Sequence, residues 1–554
     1  MSFPKRSLHL ALGLSLLAGC SSQPAAGAGA QRDAAAPAPE AGDDAANPSP
    51  SDAGPPEANA ADQAAPPFTT TRAALLANNT AASVAFTDQY TPAPRFNGSN
   101  APVSNGDAPP GSPASTVLSV GAVSKLPIRS LLYPGATTQV FVETQGWFCT
   151  NGAAQLPSEA GVDQCGSHID IGYDDNFTVH ARLQVADMMS RGIDGAIMDW
   201  SGQSAGQGII DAHTTSTPAI NTGLMFLFKA AAEASSGKFH IAAIEDEGIK
   251  ACAATAGCDV TAQLSSDIAF LSTNFFSSPA YLHQGGRPVL FFFSLDSWVS
   301  PYGKTIDWAA VRAGAAGNPL FVFENAGGFG HPASDGAYAW INVTPIGSYP
   351  GSDPFGTQAF LPYFYGQALS HPGGAAWGSA YKGFDDQVVN GWGGGERYVG
   401  QQCGKTWLDT LALPGKSYGA QQQLDGIQLI TWDDYEEGTE LETGIDNHVA
   451  IAATAAGAKL TWDIALDPSA PAECGAAVSS GFDLATTLDH FAVYASPASD
   501  GEHLAPVADG IPPTARSLDL TGKLPAGDYR LYVYAFGKAS IHNHLSPPAA
   551  YASP

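Results

Sequence analysis

Basic residues are scarce in this chain: 24 Lys and Arg stand against 52 Asp and Glu, a net charge of −28, and only 14% of residues are charged. A protein that neutralises phosphates needs a Lys/Arg-rich face, so the balance excludes nucleic acid and other polyanions as partners and leaves neutral or weakly basic polymers. Long apolar runs are missing too. Past Cys20 no segment reaches the roughly 20 residues that span a bilayer. The seven cysteines include no C-x-x-C pair and no His at finger distance, which excludes the common zinc frameworks; no metal is expected. From Ser21 to Pro67 large apolar side chains are absent, and a stretch of Ala, Pro, Gly, Asp and Glu cannot bury a core. Residues 20–67 therefore read as a disordered tether. What remains, roughly 490 residues, suffices for one large barrel and a small domain.

Residues Met1 to Cys20 combine Lys5 and Arg6, an apolar stretch from Leu8 to Leu17, and the ending Leu17-Ala18-Gly19-Cys20-Ser21-Ser22. This resembles a bacterial lipoprotein signal, which implies removal of residues 1–19 and a lipid on Cys20. The resemblance implies an exported protein held to the cell envelope by lipid alone. Ser21 in place of an acidic residue points to the outer membrane of a Gram-negative bacterium. Export to an oxidising compartment makes the other six cysteines disulfide candidates. Near-neighbour pairing would join Cys149 to Cys165, Cys252 to Cys258 and Cys403 to Cys474, although spacing leaves the connectivity open.

From Val123 to about 456 the chain alternates short apolar runs with longer helical or loop segments. The runs begin at Thr138, Gly195, Phe239, Pro288, Leu320 and Ala337, with a weaker one at Ser379 and a last one from Gly426 to Trp432. Helical periodicity lies between them, as in Val179 to Arg191 and Asn221 to Ala234. Eight strands so separated predict an α/β protein, a (β/α)8 TIM-type barrel over residues 123–456, with 68–122 as an extended lead-in. Polar residues follow nearly every run: Glu143, Asp199, Glu245 with Asp246, Ser294 with Asp296, Glu324 with Asn325, Asn342, Asp385 with Asp386, and Asp434 with Glu437. In a barrel these share the C-terminal rim, where such enzymes place their sites. Residues 457–554 turn to alternating, aromatic-rich strands between Gly, Pro, Asp and Ser turns and predict a small β-sandwich of the fibronectin type III or immunoglobulin-like sort. Packing or spacing is its expected role, with carbohydrate binding as the alternative.

The densest chemistry lies in Leu429-Ile430-Thr431-Trp432-Asp433-Asp434-Tyr435-Glu436-Glu437-Gly438-Thr439, where an apolar run stops in acids and aromatics. Paired carboxylates serve a glycosidic oxygen as acid and a water or hydroxyl as base, and aromatic faces stack on pyranose rings. Segment by segment the chain resembles glycoside hydrolase families 71 and 99, the fungal-type α-1,3-glucanases and the endo-α-mannosidases. Leu131 to Thr138 with Gln145-Gly146-Trp147-Phe148 is similar to their opening strand. His168 to Tyr173 followed by Arg191-Gly192-Ile193-Asp194-Gly195-Ala196-Ile197-Met198-Asp199-Trp200 is similar to their second. The element from Thr431 to Thr439 is similar to the W-N-D-Y-G-E and N-E-W-H-E-G-T sequences that carry their carboxylates.

The resemblance implies that Glu437 is the general acid and Asp434 the base, acting on water or on a neighbouring sugar hydroxyl. An i, i+3 spacing on a tight turn puts both on one side of the backbone. Asp433 stands where the pattern has an amide and Glu436 where it has Gly or His, so Glu436 is either a surface acid or a substitute for Glu437. Asp199 and Glu245 are expected to contact substrate, with Trp147, Tyr173, Trp200, Trp432 and Tyr435 as sugar platforms. The resulting expectation is a surface-tethered, monomeric glycoside hydrolase that cleaves an α-linked polysaccharide without a cofactor. The alternative is a carbohydrate-binding lipoprotein on a degenerate barrel.

Overall fold

Eight short strands, each too apolar to stand in water on either face, close into a parallel cylinder in the computed structural model. It describes residues 67–76, 123–145, 178–202, 218–246, 248–341, 357–386, 397–434 and 437–554. The tether, Cys20, Trp147, Cys149, Cys165, Tyr173, Asn342, Tyr435 and Glu436 lie outside them. In chain order the strands are β1 (Gln139–Gln145), β2 (Gly195–Trp200), β3 (His240–Glu245), β4 (Arg287–Phe292), β5 (Leu320–Glu324), β6 (Gly336–Tyr338), β7 (Ala375–Tyr381) and β8 (Gly426–Ile430). Their order around the sheet is β3-β2-β1-β8-β7-β6-β5-β4, and β4 pairs back onto β3, so no edge is left. The expected barrel is present. Two boundaries differ from the expected ones by more than one residue: β7 begins at Ala375, because its small residues Ala375, Ala376 and Gly378 conceal the strand in a hydropathy reading, and β8 ends at Ile430, because the Thr431 N–H turns to the Thr439 carbonyl.

Residue parity sorts the side chains into two layers. Phe141, Ile197, Ala242, Ile244, Val289, Phe291, Val322, Tyr338 and Trp377 fill the cylinder. Their neighbours in sequence, Val140, Val142, Ala196, Met198, Ala243, Leu290 and Phe292, face outward against helices α1 (Thr178–Ser190), α2 (Pro218–Ala234) and α3 (Val260–Asn274) through Val185, Met188, Leu224, Phe228, Leu264 and Ile268. Gly426 in β8 is required by this filling: a Cβ there would stand 2.2 Å from the Trp377 ring. No helix among the described residues is long and apolar enough to cross a membrane.

The C-terminal part contains β9 (Val449–Ala456), β10 (Lys459–Leu466), β11 (Leu488–Pro497), β12 (His503–Ile511), β13 (Ser517–Asp519), β14 (Gly527–Gly537), β15 (His544–Leu545) and β16 (Ala549–Ser553), with helix α4 (Ala472–Ser479) between β10 and β11. Strands β9, β10 and β13 form one antiparallel sheet; the other five form a second. Ile451, Leu460 and Trp462 of the first pack with Phe491, Val493, Leu531 and Val533 of the second in one core. A boundary at 457 would fall in the turn between β9 and β10, so this unit starts at Val449. Where the lead-in is described it is a two-residue edge strand, Thr70 and Thr71 pairing with Leu504 and His503 of β12, followed by the short helix Arg72–Leu76. Cys252 is bonded to Cys258, and Cys403 to Cys474, which ties a barrel loop to α4.

Candidate active site

The barrel's inward parity carries past the strand ends and delivers carboxylates to the mouth. Glu143 continues the face of Phe141, Asp199 that of Ile197, Asp246 that of Ile244, and Glu324 that of Val322. Glu143 is fully buried, and neither of its carboxylate oxygens has a hydrogen-bond partner among the described residues. Burial pushes its carboxyl well above the ordinary range, and the charges of Asp199, Asp433, Asp434 and Asp246 push the same way. Carboxylates this close in a poorly solvated site disfavour one another's charge, and burial adds to that at Glu143. Glu324 is likewise raised by burial, against hydrogen bonds donated by the Ser294 hydroxyl and by the Asn325 amide at 2.6 Å. Ser294 and Asn325 both have positive φ, 48° and 59°, a strain that tends to gather at functional sites.

The turn after β8 is pinned at both ends. The Trp432 N–H donates to the Glu143 carbonyl at 2.7 Å, the Thr431 and Thr439 hydroxyls meet at 3.0 Å, and the Thr439 N–H donates to the Asp434 carbonyl at 3.1 Å. Asp434 is buried. Its Oδ1 accepts the Glu437 backbone N–H and its Oδ2 accepts Gln145 Nε2, both at 2.9 Å. Gly438 supplies the positive φ, 61°, that closes the turn. Glu437 keeps 16% of its side chain exposed and has Arg397 Nη2 4.0 Å from Oε1. Asp433 instead clamps the end of β1 to the turn. Its Oδ2 accepts the Thr144 hydroxyl at 2.6 Å and its Oδ1 the Gln145 N–H at 2.9 Å. An amide at this position would keep the Gln145 N–H on its oxygen but would have to donate to the Thr144 hydroxyl rather than accept from it.

Three expected substrate contacts lie elsewhere. Glu245 has the opposite parity to Asp246 and packs outside the cylinder, within electrostatic reach of Asp267 on α3; burial raises its carboxyl well above the ordinary range. Trp200 also faces outward: it is fully buried, stacked on Phe270 at 5.8 Å, with its indole N–H on Thr222. Trp432 is fully buried in the same outer layer with the Arg191 guanidinium 4.9 Å from its ring. These three are core, not sugar platforms. The structure brings Asp199 and Asp434 together around Glu143 and leaves Glu437 at the open edge of the turn. Glu143, Asp246 and Glu324 were legible as rim acids, yet only parity with the apolar filling distinguishes them from Glu245. Half-buried Trp340 and Phe293, in edge contact at 5.1 Å and on the inward parity of β6 and β4, are aromatics that the mouth presents among the described residues.

No family model and no curated protein matches the chain. Among solved structures it is similar to the glycoside hydrolase family 99 endo-alpha-mannosidase from Bacteroides thetaiotaomicron in complex with BIS-TRIS-Propane, at 15% identity and a TM-score of 0.38 over 62% of this chain and 95% of that one. A second structure of that endo-alpha-mannosidase matches at 15% and 0.38, over 61% and 94%. A glycoside hydrolase family 5 protein from Bacteroides vulgatus matches at 10% and 0.28, over 65% and 86%. Likenesses of this size assign neither substrate nor residue roles.

Proposed function

We propose that this chain is a glycoside hydrolase that cleaves an α-linked polysaccharide, an α-glucan or α-mannan, with Asp434 and Glu437 as its base and acid. The observation that carries the reading is the turn itself. Asp434 is oriented by two donors, one of them the backbone of Glu437, at the mouth of a barrel whose inward acids include Glu143, its carboxyl raised by burial and by the neighbouring acids. In this reading Asp434 takes a proton from water or from a neighbouring sugar hydroxyl. Glu437, the more exposed of the two, gives one to the leaving oxygen. Asp199 and Glu143 line the sugar site, and attachment through Cys20 would keep the enzyme at the envelope. Carbohydrate binding without turnover is the second reading, favoured by Asp433 and Glu436, which stand where the resembled pattern has an amide and Gly or His.

The test is product release from a panel of α-glucans and α-mannans by the full chain, alongside Asp434→Asn and Glu437→Gln. Loss of an acid or base is expected to cut release by at least about a hundredfold in each variant. Retention of a polymer on an affinity gel without cleavage would move the second reading ahead. Cleavage that survives both substitutions would overturn the pair.

A further inference from the structure

Between β7 and β8 the chain forms a short ribbon in which Phe384 pairs with Val399 and Asp385 with Tyr398. One edge of this ribbon meets the turn that bears Glu437. The Asp385 N–H donates to the Glu437 carbonyl at 2.6 Å. Fully buried Asp386 accepts the Arg397 backbone N–H and its Nε, each at 2.6 Å, which fixes the guanidinium 4.0 Å from Glu437 Oε1.

The ribbon's other end meets the C-terminal unit. Glu473 on α4 accepts the backbone N–H groups of Gln401 and Gln402 at 3.1 and 3.2 Å with Oε1, and the Tyr398 hydroxyl with Oε2. A Cβ on Gly400 would stand 2.1 Å from Glu473 Oε2, so glycine alone admits the carboxylate. Cys403 is bonded to Cys474, the residue after Glu473. Gln402, Cys403 and Gly404 have φ of 52°, 56° and 83° in succession, a path that two non-glycine residues keep only when their surroundings impose it.

We propose that the C-terminal unit holds the active-site turn in place: Glu473, through the Tyr398–Gln402 ribbon, and Arg397 are positioning residues for Glu437. The catalytic part of this inference rests on the reading of Glu437 given above; the coupling between α4 and the turn does not. A contiguous set of hydrogen bonds and one ion pair links the two, and coupling of this kind is established by perturbing one end and reading the other.

The experiment uses the full chain with Glu473→Gln, Gly400→Ala, Arg397→Gln and Arg397→Lys, and follows amide hydrogen exchange together with kcat and KM on the polymer that the parent cleaves. Glu473→Gln and Gly400→Ala are expected to speed exchange at Asp385 and at residues 437–441 by about tenfold or more. Both should lower kcat by about tenfold with KM within about twofold. Arg397→Gln should lower kcat similarly, and Arg397→Lys, which restores the cation, should recover most of it. Faster exchange confined to residues 398–404, with Asp385 and 437–441 unchanged, overturns the proposal whether or not any polymer is cleaved. Exchange that responds as expected in a chain that cleaves nothing supports the coupling and removes only the hydrolase reading. Equal loss in both Arg397 variants overturns the role given to its charge.

Discussion

Replacing Lys382 by Met should destabilise the protein by about 3–5 kcal/mol, the usual cost of removing one partner of a buried ion pair. Lys382, just after β7, and Glu440, just after the turn that follows β8, both have fully buried side chains, and the ammonium meets Glu440 Oε1 at 2.7 Å. Glu440 Oε2 has no hydrogen-bond partner among the described residues, so the carboxylate depends heavily on that one cation. Met keeps the length of the lysine stem, and the loss is therefore electrostatic more than volumetric. A carboxylate left without its cation is relieved by taking up a proton, and the deficit should shrink between pH 7 and pH 5. Glu440→Gln removes the stranded charge, so Lys382→Met with Glu440→Gln should recover most of the loss. A double-mutant cycle should return a coupling of at least about 2 kcal/mol. Equilibrium denaturant unfolding of the four proteins at both pH values measures this. A single variant that costs less than about 1 kcal/mol, or a double variant no better than the single, would refute the argument. The pair also bears on the site, because Glu440 follows Thr439, whose N–H and hydroxyl hold the turn to Asp434 and Thr431.

Gly426→Ala should cost at least about 2 kcal/mol in the same unfolding assay, since the added methyl overpacks the barrel interior against Trp377; a change under about 0.5 kcal/mol would contradict that filling. Removing the Cys403–Cys474 bond, which closes a sequence separation of 71, should cost about 4 kcal/mol by chain entropy, against about 2 kcal/mol for Cys252–Cys258 with a separation of 6. Equal losses for the two paired Cys→Ser variants would rule out the entropic account. His544 is pulled down to about 4 by burial, which outweighs the nearby Asp446 carboxylate. Its unfolded form takes up a proton first, so stability should fall as pH drops from about 6.5 to 4, by on the order of 3 kcal/mol, and level off below. His544→Asn should flatten that slope; a slope unchanged in the variant would assign it to other groups.

The barrel was legible because β-rich apolar runs recur with helical spacing between them, and the rim was legible because seven of the eight strands run into polar residues that the described structure contains. What the sequence does not display is which face a residue takes. Asp199 and Trp200 are adjacent, as are Glu245 and Asp246, and in each pair one member reaches the mouth while the other is sealed under a helix. A strand's side chains alternate with a period of two, so an offset of one residue exchanges the barrel mouth for the core. The offset is set by register: Asp199 lies opposite Gln145 and Ile244, while Trp200 lies opposite Glu245.

The same limit governs the acids of the turn. In sequence Asp433 looks like surplus charge beside a catalytic pair. In the fold it is the acceptor for Thr144 and Gln145, partners 289 and 288 residues away. Gln145 also donates from its side chain to Asp434, so one residue of β1 binds both acids and sets the angle between them. Asp433 thereby belongs to the scaffold that orients Asp434. The carboxyl most perturbed by the mouth's other acids that the structure describes is Glu143, whose burial inside the barrel no local pattern reveals. Local spacing gathers the carboxylates into one turn; which of them face the mouth follows from which strand ends the closed barrel brings side by side.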